Sequence, residues 1–278
     1  MPNTIVKKKG LIPGRVSEMI ISAPEIATKA RPGNFVVLRL SPQGERIPLT
    51  IADTDPQAGT ITIVYMVLGK TTAMLEKLVQ GDDILDVCGP LGKPTRLDKV
   101  GTVICVGGGT GIAAMHHIAK GHHRVGNRVV AIIGARSKDL LLFEKELASF
   151  CDEVLVATDD GSYGHKGFVT EVLAKRLAQD AHVGEVVGVG PVPMMRAVAE
   201  TTRPFKVRTI VSLNPIMVDG IGMCGACRVT VGGKTRFACV DGPEFDAHSV
   251  DFDELMRRLG SFREQEQASY NTYCECHG

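Results

Sequence analysis

From Gly101 onward the chain repeats one rhythm, and that rhythm leaves few folds open. An apolar run of strand length, 102–106, enters Gly107-Gly108-Gly109-Thr110-Gly111 and then a helical stretch, 112–120. Strand 128–134, helix 141–150, strand 153–158, helix 169–179, strand 185–189 and helix 194–201 follow. Strands separated by helices predict a parallel sheet with helices on both faces. Ligands of such open sheets bind outside the carboxyl ends of the strands, and glycine loops gather there. The first is 107–111, opening a helix whose N-terminus favours phosphate, although it departs from G-x-G-x-x-G. The second is Thr158-Asp159-Asp160-Gly161-Ser162 with Gly164 and Gly167, and the third is Gly188-Val189-Gly190-Pro191 before Met194-Met195, with its helix expected beyond the prolines. Three glycine loops on one edge predict a nucleotide site.

The region before it, 5–97, reads differently. Short β-branched strands at 35–40, 60–65 and 83–87, broken by Pro and Gly and by one helical stretch at 72–78, predict an antiparallel barrel or sandwich. Composition narrows the functions. Lys plus Arg number 32 against 31 Asp plus Glu, so no basic excess exists to hold a nucleic acid or an anionic membrane. With 44% hydrophobic residues, 5% aromatics, no tryptophan and 31 glycines, the core is aliphatic and turned by glycine. Apolar runs such as 100–106 fall well short of the roughly 20 residues a membrane span needs. The first fourteen residues lack the apolar region and cleavage site of a secretory signal. The expected location is the cytoplasm, where clustered cysteines bind metal or do redox work.

Such a cluster exists. Cys224-x-x-Cys227, then Cys239, sit among Gly220, Gly222 and Gly225, which let backbone N–H groups approach sulfur. Plant-type clusters use C-x4-C-x2-C plus a distant Cys; here Asp219 stands five residues before Cys224 and is the candidate fourth ligand. Zinc completed by Cys274, Cys276 or His277 is the rival reading. Iron and sulfur are preferred because the neighbouring sheet carries a nucleotide site. His116 and His117 are expected to be solvated or capping in the helix after the first glycine loop, with His122 and His123 in the loop beyond, and the polar C-terminus is expected to be a disordered tail.

These residues together resemble the ferredoxin reductase-type flavoproteins. Within them the chain is similar to the electron-transfer subunit of dihydroorotate dehydrogenase and to the small subunit of NADH-dependent reduced ferredoxin:NADP oxidoreductase, the sulfide dehydrogenase type. The resemblance covers nearly the whole chain, and the Asp219–Cys239 segment running into Asp241-Gly242-Pro243 is its most specific part. It implies an FAD-binding antiparallel β barrel (1–98), an NAD(P)-binding α/β domain (99–212) and a small 2Fe-2S segment with a tail (213–278). FAD would meet Arg46, one position earlier than the family's arginine, with Pro48, Leu49 and Thr50. It would also meet Val64, Tyr65 and Met66, and Gly69, Thr71 and Thr72 at its pyrophosphate, Thr71 standing where a glycine is usual. The nucleotide would meet Gly107, Gly108, Gly109, Thr110, Gly111, Asp159, Asp160, Gly161, Gly190, Pro191 and Met194. Asp219, Cys224, Cys227 and Cys239 would hold the cluster, the aspartate favouring the bifurcating-enzyme subunit over dihydroorotate dehydrogenase.

The implied function is electron transfer among NAD(H), FAD and the cluster, to or from a larger flavin and iron-sulfur partner in a heterodimer, with ferredoxin reached indirectly. Arg136, in Gly134-Ala135-Arg136-Ser137, suits a 2′-phosphate and by itself favours NADP. The resemblance favours NAD(H), and NAD(H) is the preferred assignment. A zinc-stabilised nucleotide-binding module without redox activity is the alternative of another class.

Overall fold

The computed structural model describes residues 3–180 and 182–277. Its first half is a barrel: β1 (Asn3–Ile12), β2 (Val16–Ser22), α1 (Pro24–Lys29), β3 (Phe35–Arg39), β4 (Arg46–Asp55), β5 (Thr60–Met66), α2 (Lys70–Lys77), β6 (Asp83–Ile84) and β7 (Asp86–Leu91). The strands pair antiparallel in the order β6-β1-β2-β5-β4-β3-β7. The two ends of that order are consecutive in the chain. The single strand expected at 83–87 is therefore two strands with a corner at Leu85: β6 pairs with β1, and β7 pairs with β3. Alternation along β5 sends Ile61, Ile63 and Tyr65 into the barrel core with Met19, Leu38 and Ile51.

The second sheet contains β8 (Thr102–Gly108), β9 (Arg128–Ala135), β10 (Glu153–Thr158), β11 (His165–Lys166), β12 (Val183–Val189) and β13 (Arg208–Ser212), all parallel, in the order β11-β10-β9-β8-β12-β13. Strand order reverses between β8 and β12, which makes their carboxyl ends the switch point where a ligand can enter. Helix α3 (Gly111–Arg124) covers one face, α5 (Val169–Gln179) and α6 (Val192–Thr202) the other. Val103 and Cys105 of β8 pack with α3, while Ile104 and Val106 pack with α5 and α6. A strand buried on both faces reads as continuous hydrophobicity, as 102–106 does.

Several element expectations need correction. Helix α3 runs to Arg124, so His122 and His123 lie in its last turn. It is wedged between the sheet and the barrel, sharing a core with Val16, Ala52 and Val64; hence His116, His117 and His122 are buried instead of solvated. The helix expected at 141–150 shrinks to α4 (Glu144–Ala148), because Phe143 takes a left-handed conformation, φ 60°, just before it. Helix α6 begins before Pro193 rather than after it, since a proline in the first turn removes only an N–H that has no helical partner.

The last segment comprises β14 (Arg228–Val231), β15 (Lys234–Phe237), α7 (Ala238–Asp241), β16 (Glu244–Asp246), α8 (Phe252–Leu259) and α9 (Arg263–His277). β14 and β15 form their own hairpin, whereas β16 joins the α/β sheet antiparallel to β13. The expected tail is instead helix α9: 263–277 contains neither Gly nor Pro and is rich in helix formers. It packs on α2, with Lys77 Nζ 5.2 Å from the centre of the Tyr273 ring. Cys274 and Cys276 are exposed on it.

Candidate functional site

Pairing between β4 and β5 holds from Asp55↔Thr60 to Ile51↔Ile63 and stops there. Beyond that point β4 pairs only with β3, and β5 only with β2. The barrel therefore splays into a wedge, with Pro48, Leu49 and Thr50 along one side and Val64 and Met66 along the other. Pro48 fits this free edge because it has no N–H to leave unpaired. Although β4 is an inner strand, Pro48, Leu49 and Thr50 stay half-buried, and Arg46 is exposed. Five of the ten residues expected at a flavin thus flank one opening, with Val64 itself buried in the core shared with α3. Tyr65 does not: it is buried in the barrel core, and its hydroxyl donates to Glu76 Oε2 at 2.8 Å. Burial and the Glu76 carboxylate push that phenol far above its usual range. Thr71 is likewise committed, donating to Glu45. Thr72 Oγ1 accepts from the Leu68 and Gly69 N–H groups and closes the start of α2.

Met66 leads from the wedge into a cleft of about 750 Å³ between the barrel and the α/β sheet. Ile12, Arg15, Val16, Met66 and Leu68 form its barrel wall, and Gly108, Gly109, Thr110, Arg136, Asp159, Pro191 and Met194 lie on the other. This is the predicted switch point. The glycines there differ in purpose. Gly109 has φ +56° with open space around its missing Cβ, so it serves the turn itself. Gly111 is a close approach: a Cβ would stand 2.6 Å from the Val189 carbonyl oxygen and 2.7 Å from the Gly190 Cα. Gly107 and Gly108 are the end of β8 rather than part of the turn. Met194 sulfur packs where Gly108 would carry a side chain, 2.6 Å from that position.

Asp160 and Gly161 stay out of the cleft. Asp160 Oδ1 accepts from the Ser162 N–H at 2.9 Å and from its hydroxyl, and these bonds hold the carboxyl below its ordinary range. Sequence reasoning missed Arg15, Leu68 and Phe168, each next to a glycine (Gly14, Gly69 and Gly167), and Thr170 in the first turn of α5, all of which line the cleft.

Two contacts hold the barrel against α3. His117 Nδ1–H donates to the Ile51 carbonyl at 3.0 Å, and Lys120 Nζ donates to Asp53 Oδ2 at 2.7 Å. Burial opposes the Asp53 charge, but Lys120 and the Thr54 N–H outweigh it and hold the carboxyl below its ordinary range. Burial lowers the His117 pKa, so its imidazole is neutral and this bond has a fixed tautomer.

The cysteine segment lies against β3 and β7, with Gly220 close to Leu91 and Val37. Cys227 and Cys239 are buried with their sulfurs 3.1 Å apart, and the Cys239 N–H reaches Cys227 Sγ at 3.5 Å. Burial and the Cys227 thiol push Cys239 up to about 12. Cys224 is exposed on the loop before them. Asp219 accepts from the Ile221 N–H at 3.1 Å and the Cys224 N–H at 2.8 Å, so its carboxylate shapes the loop that carries Cys224. Those bonds, against a small burial penalty, keep its carboxyl below the ordinary range. Among the described residues no three His, Cys, Asp or Glu side chains converge as they stand. Two buried thiols in contact, a third thiol beside them and a loop with left-handed Gly220, Gly222 and Gly225 nonetheless suit a thiolate-bound metal cluster.

An antiparallel barrel followed by a parallel sheet, with a cleft at the switch point between them, defines the ferredoxin reductase-type class. A ferredoxin NADP+ reductase from Neisseria gonorrhoeae, 18% identical, shares this fold with a TM-score of 0.60 over 74% of this chain and 91% of that one. Residues 105–200 match the oxidoreductase NAD-binding domain, and 214–251 the iron-sulfur cluster binding domain of dihydroorotate dehydrogenase B. The dihydroorotate dehydrogenase B (NAD(+)) electron transfer subunit homolog of Thermotoga maritima is 49% identical over 276 residues, 99% of this chain and 97% of that one. The electron transfer subunit of Bacillus caldolyticus is 36% identical over 256 residues, 88% of this chain and 96% of that one. The chain belongs to the family of dihydroorotate dehydrogenase B electron transfer subunits and their homologues. A chain of the NADH-dependent reduced ferredoxin-NADP oxidoreductase structure superposes with a TM-score of 0.93 at 48% identity, covering 99% of this chain and 98% of that one. Among the described residues no helix is long and apolar enough to cross a membrane.

Proposed function

We propose that the chain is the electron-transfer subunit of an electron-bifurcating NADH-dependent ferredoxin:NADP oxidoreductase, working with NAD(H), FAD and a 2Fe-2S cluster beside a larger flavin and iron-sulfur subunit. The observation that carries this reading is the whole-length likeness to the chain of that oxidoreductase, with a TM-score of 0.93. The division 1–98, 99–212 and 213–278 assigns one group to each part, with the third part lending β16 to the second. A nicotinamide exchanges two electrons as hydride, an iron-sulfur cluster exchanges one, and a flavin can do either, so flavin belongs between them.

The residues divide that work. The free edge of β4 at Pro48, Leu49 and Thr50, with Val64 and Met66 opposite, holds a flat ring system between strands. The start of α2, with the backbone N–H groups of Thr71 and Thr72 after the Gly69 cap, and the exposed Arg46 offer N–H groups and charge to its phosphates. The N-terminus of α3 at Thr110 and Gly111 offers backbone N–H groups to the second dinucleotide, Arg136 adds a cation and Asp159 a carboxylate for ribose hydroxyls. Apolar walls at Met66, Leu68, Pro191 and Met194 exclude water from the reacting rings. Cys224, Cys227 and Cys239 supply thiolates, and Asp219 supplies a harder oxygen donor.

A second reading, the electron-transfer subunit of NAD-dependent dihydroorotate dehydrogenase, is favoured by the match of 214–251. Affinity purification of the chain from its native cells separates the two. A larger flavin and iron-sulfur polypeptide that reduces NADP supports the first, and a dihydroorotate-oxidising polypeptide replaces it with the second.

A further inference from the structure

The cleft has three charged lining residues: Arg136 and Asp159 from the α/β sheet, and Arg15 from the barrel. Among the described residues neither arginine side chain has an ion pair or a hydrogen bond, and both are exposed. The backbone of Arg15 is nonetheless fixed. Its N–H donates to the Ile12 carbonyl at 3.0 Å across a turn with Pro13 second and left-handed Gly14 third, the pattern of a type II turn. Its own carbonyl accepts from the Val67 N–H at 2.9 Å, tying the turn to the end of β5. A guanidinium on a rigid turn, facing an apolar cleft without a carboxylate partner, is prepared for an external anion. The opposite wall offers the start of α3, which favours the same charge.

We infer that Arg15 is a phosphate-contact residue of the dinucleotide in this cleft, so that the ligand's diphosphate is held from both domains: by Arg15 on the barrel and by Arg136 and the α3 N-terminus on the sheet. This deepens the proposed function and rests on its assignment of the cleft to NAD(H). A ligand gripped from both sides fixes its reactive ring relative to the barrel wedge, which sheet contacts alone do not achieve. The diphosphate of FAD has the same chemistry, and the test separates the two sources. Arg15 also has no native partner to lose, so its replacement leaves no buried group unsatisfied.

The experiment uses the full, cofactor-loaded chain and measures NADH, ADP-ribose and AMP affinity by calorimetry under non-turnover conditions, with bound FAD quantified by absorbance. Losing one charge-assisted phosphate contact weakens binding by roughly 10- to 100-fold. R15Q is expected to lose that factor for NADH and ADP-ribose, much less for AMP, which lacks the diphosphate, and to keep its FAD. R15K, retaining a point charge, is expected between wild type and R15Q, and R236Q, outside the cleft, at the wild-type value. Unchanged affinity for ADP-ribose in R15Q overturns the inference. Loss of FAD with unchanged ADP-ribose affinity also overturns it, assigning Arg15 to the flavin. Wild-type chain that binds neither NADH nor ADP-ribose overturns the underlying assignment of the cleft, a different failure from a silent R15Q.

Discussion

Replacing Gly111 by alanine sets two effects against each other with magnitudes the structure supplies. Alanine within a helix is worth about 1 kcal/mol over glycine. Here, however, the new Cβ meets the Val189 carbonyl at 2.6 Å where ordinary contact begins at 3.4 Å, and it meets the Gly190 backbone at 2.7 and 2.8 Å. Those atoms are backbone at the end of inner strand β12 and in the residue just after it, and cannot rotate away, so α3 must retreat from them by about 0.8 Å, the difference between 3.4 and 2.6 Å. Overpacking of this kind costs about 1–3 kcal/mol. The steric term matches or exceeds the helix gain, by up to roughly 2 kcal/mol, a Tm lowered by up to roughly 8 °C for a chain of this size. The same retreat moves the N–H groups of the α3 N-terminus, so NADH affinity falls along with Tm. Calorimetric melting and NADH titration of Gly111→Ala check both. A melting temperature above that of wild type, with undiminished NADH affinity, would show that the backbone around Gly190 yields to the new Cβ. Gly109→Ala is the contrasting case: no atom lies within 4 Å of its Cβ, and the cost of about 1–2 kcal/mol comes only from φ +56°.

Other predictions follow from the same contacts. Asp219→Cys replaces a hard carboxylate donor by thiolate and should shift the midpoint potential of the cluster; an unchanged midpoint in redox titration removes Asp219 from the ligand set. Cys227→Ser should abolish the visible bands of the cluster while the flavin band remains, since Cys227 lies outside the wedge. His122 is buried between Glu185, Arg208 and Asp98, and burial holds its pKa near 4. The folded pKa is below the unfolded value, so its contribution is present above pH 6.5 and is lost as pH falls from there toward 4, by up to about 3 kcal/mol. Wild type should therefore lose more Tm than His122→Gln between pH 7 and roughly pH 5; equal slopes in pH-dependent melting contradict this. Lys120→Met, which leaves Asp53 half-buried and unpaired, should cost about 1 kcal/mol and be matched by a coupling to Asp53→Asn in a double-mutant cycle.

Much of the architecture could be read from the chain because its signals are local. Runs such as 102–106, buried on both faces, and the glycine loops after them need only sequence neighbours to be seen, and they placed Gly108, Gly109, Thr110 and Asp159 at one cleft. What escaped depends on packing between distant parts. His116 and His117 look like surface residues until α3 is pressed between barrel and sheet. Tyr65 looks available to a ligand until the β5 alternation turns it toward Glu76. Leu85 is a barrel corner only because β6 and β7 serve opposite edges of one sheet. Arg15 carries no motif, and its place in the cleft follows from a turn 93 residues before Gly108, as their numbering gives.

Passage of electrons between a nicotinamide in the cleft and a cluster on the cysteine segment, by way of flavin in the barrel wedge, is tested by one anaerobic titration. Purified chain, oxidised, is treated with NADH while absorbance follows the flavin and electron paramagnetic resonance follows the cluster. The expected result is flavin bleaching together with the signal of a reduced 2Fe-2S cluster, and loss of that signal but not of the bleaching in Cys227→Ser. A colourless chain, or a coloured one in which NADH bleaches nothing, would contradict it.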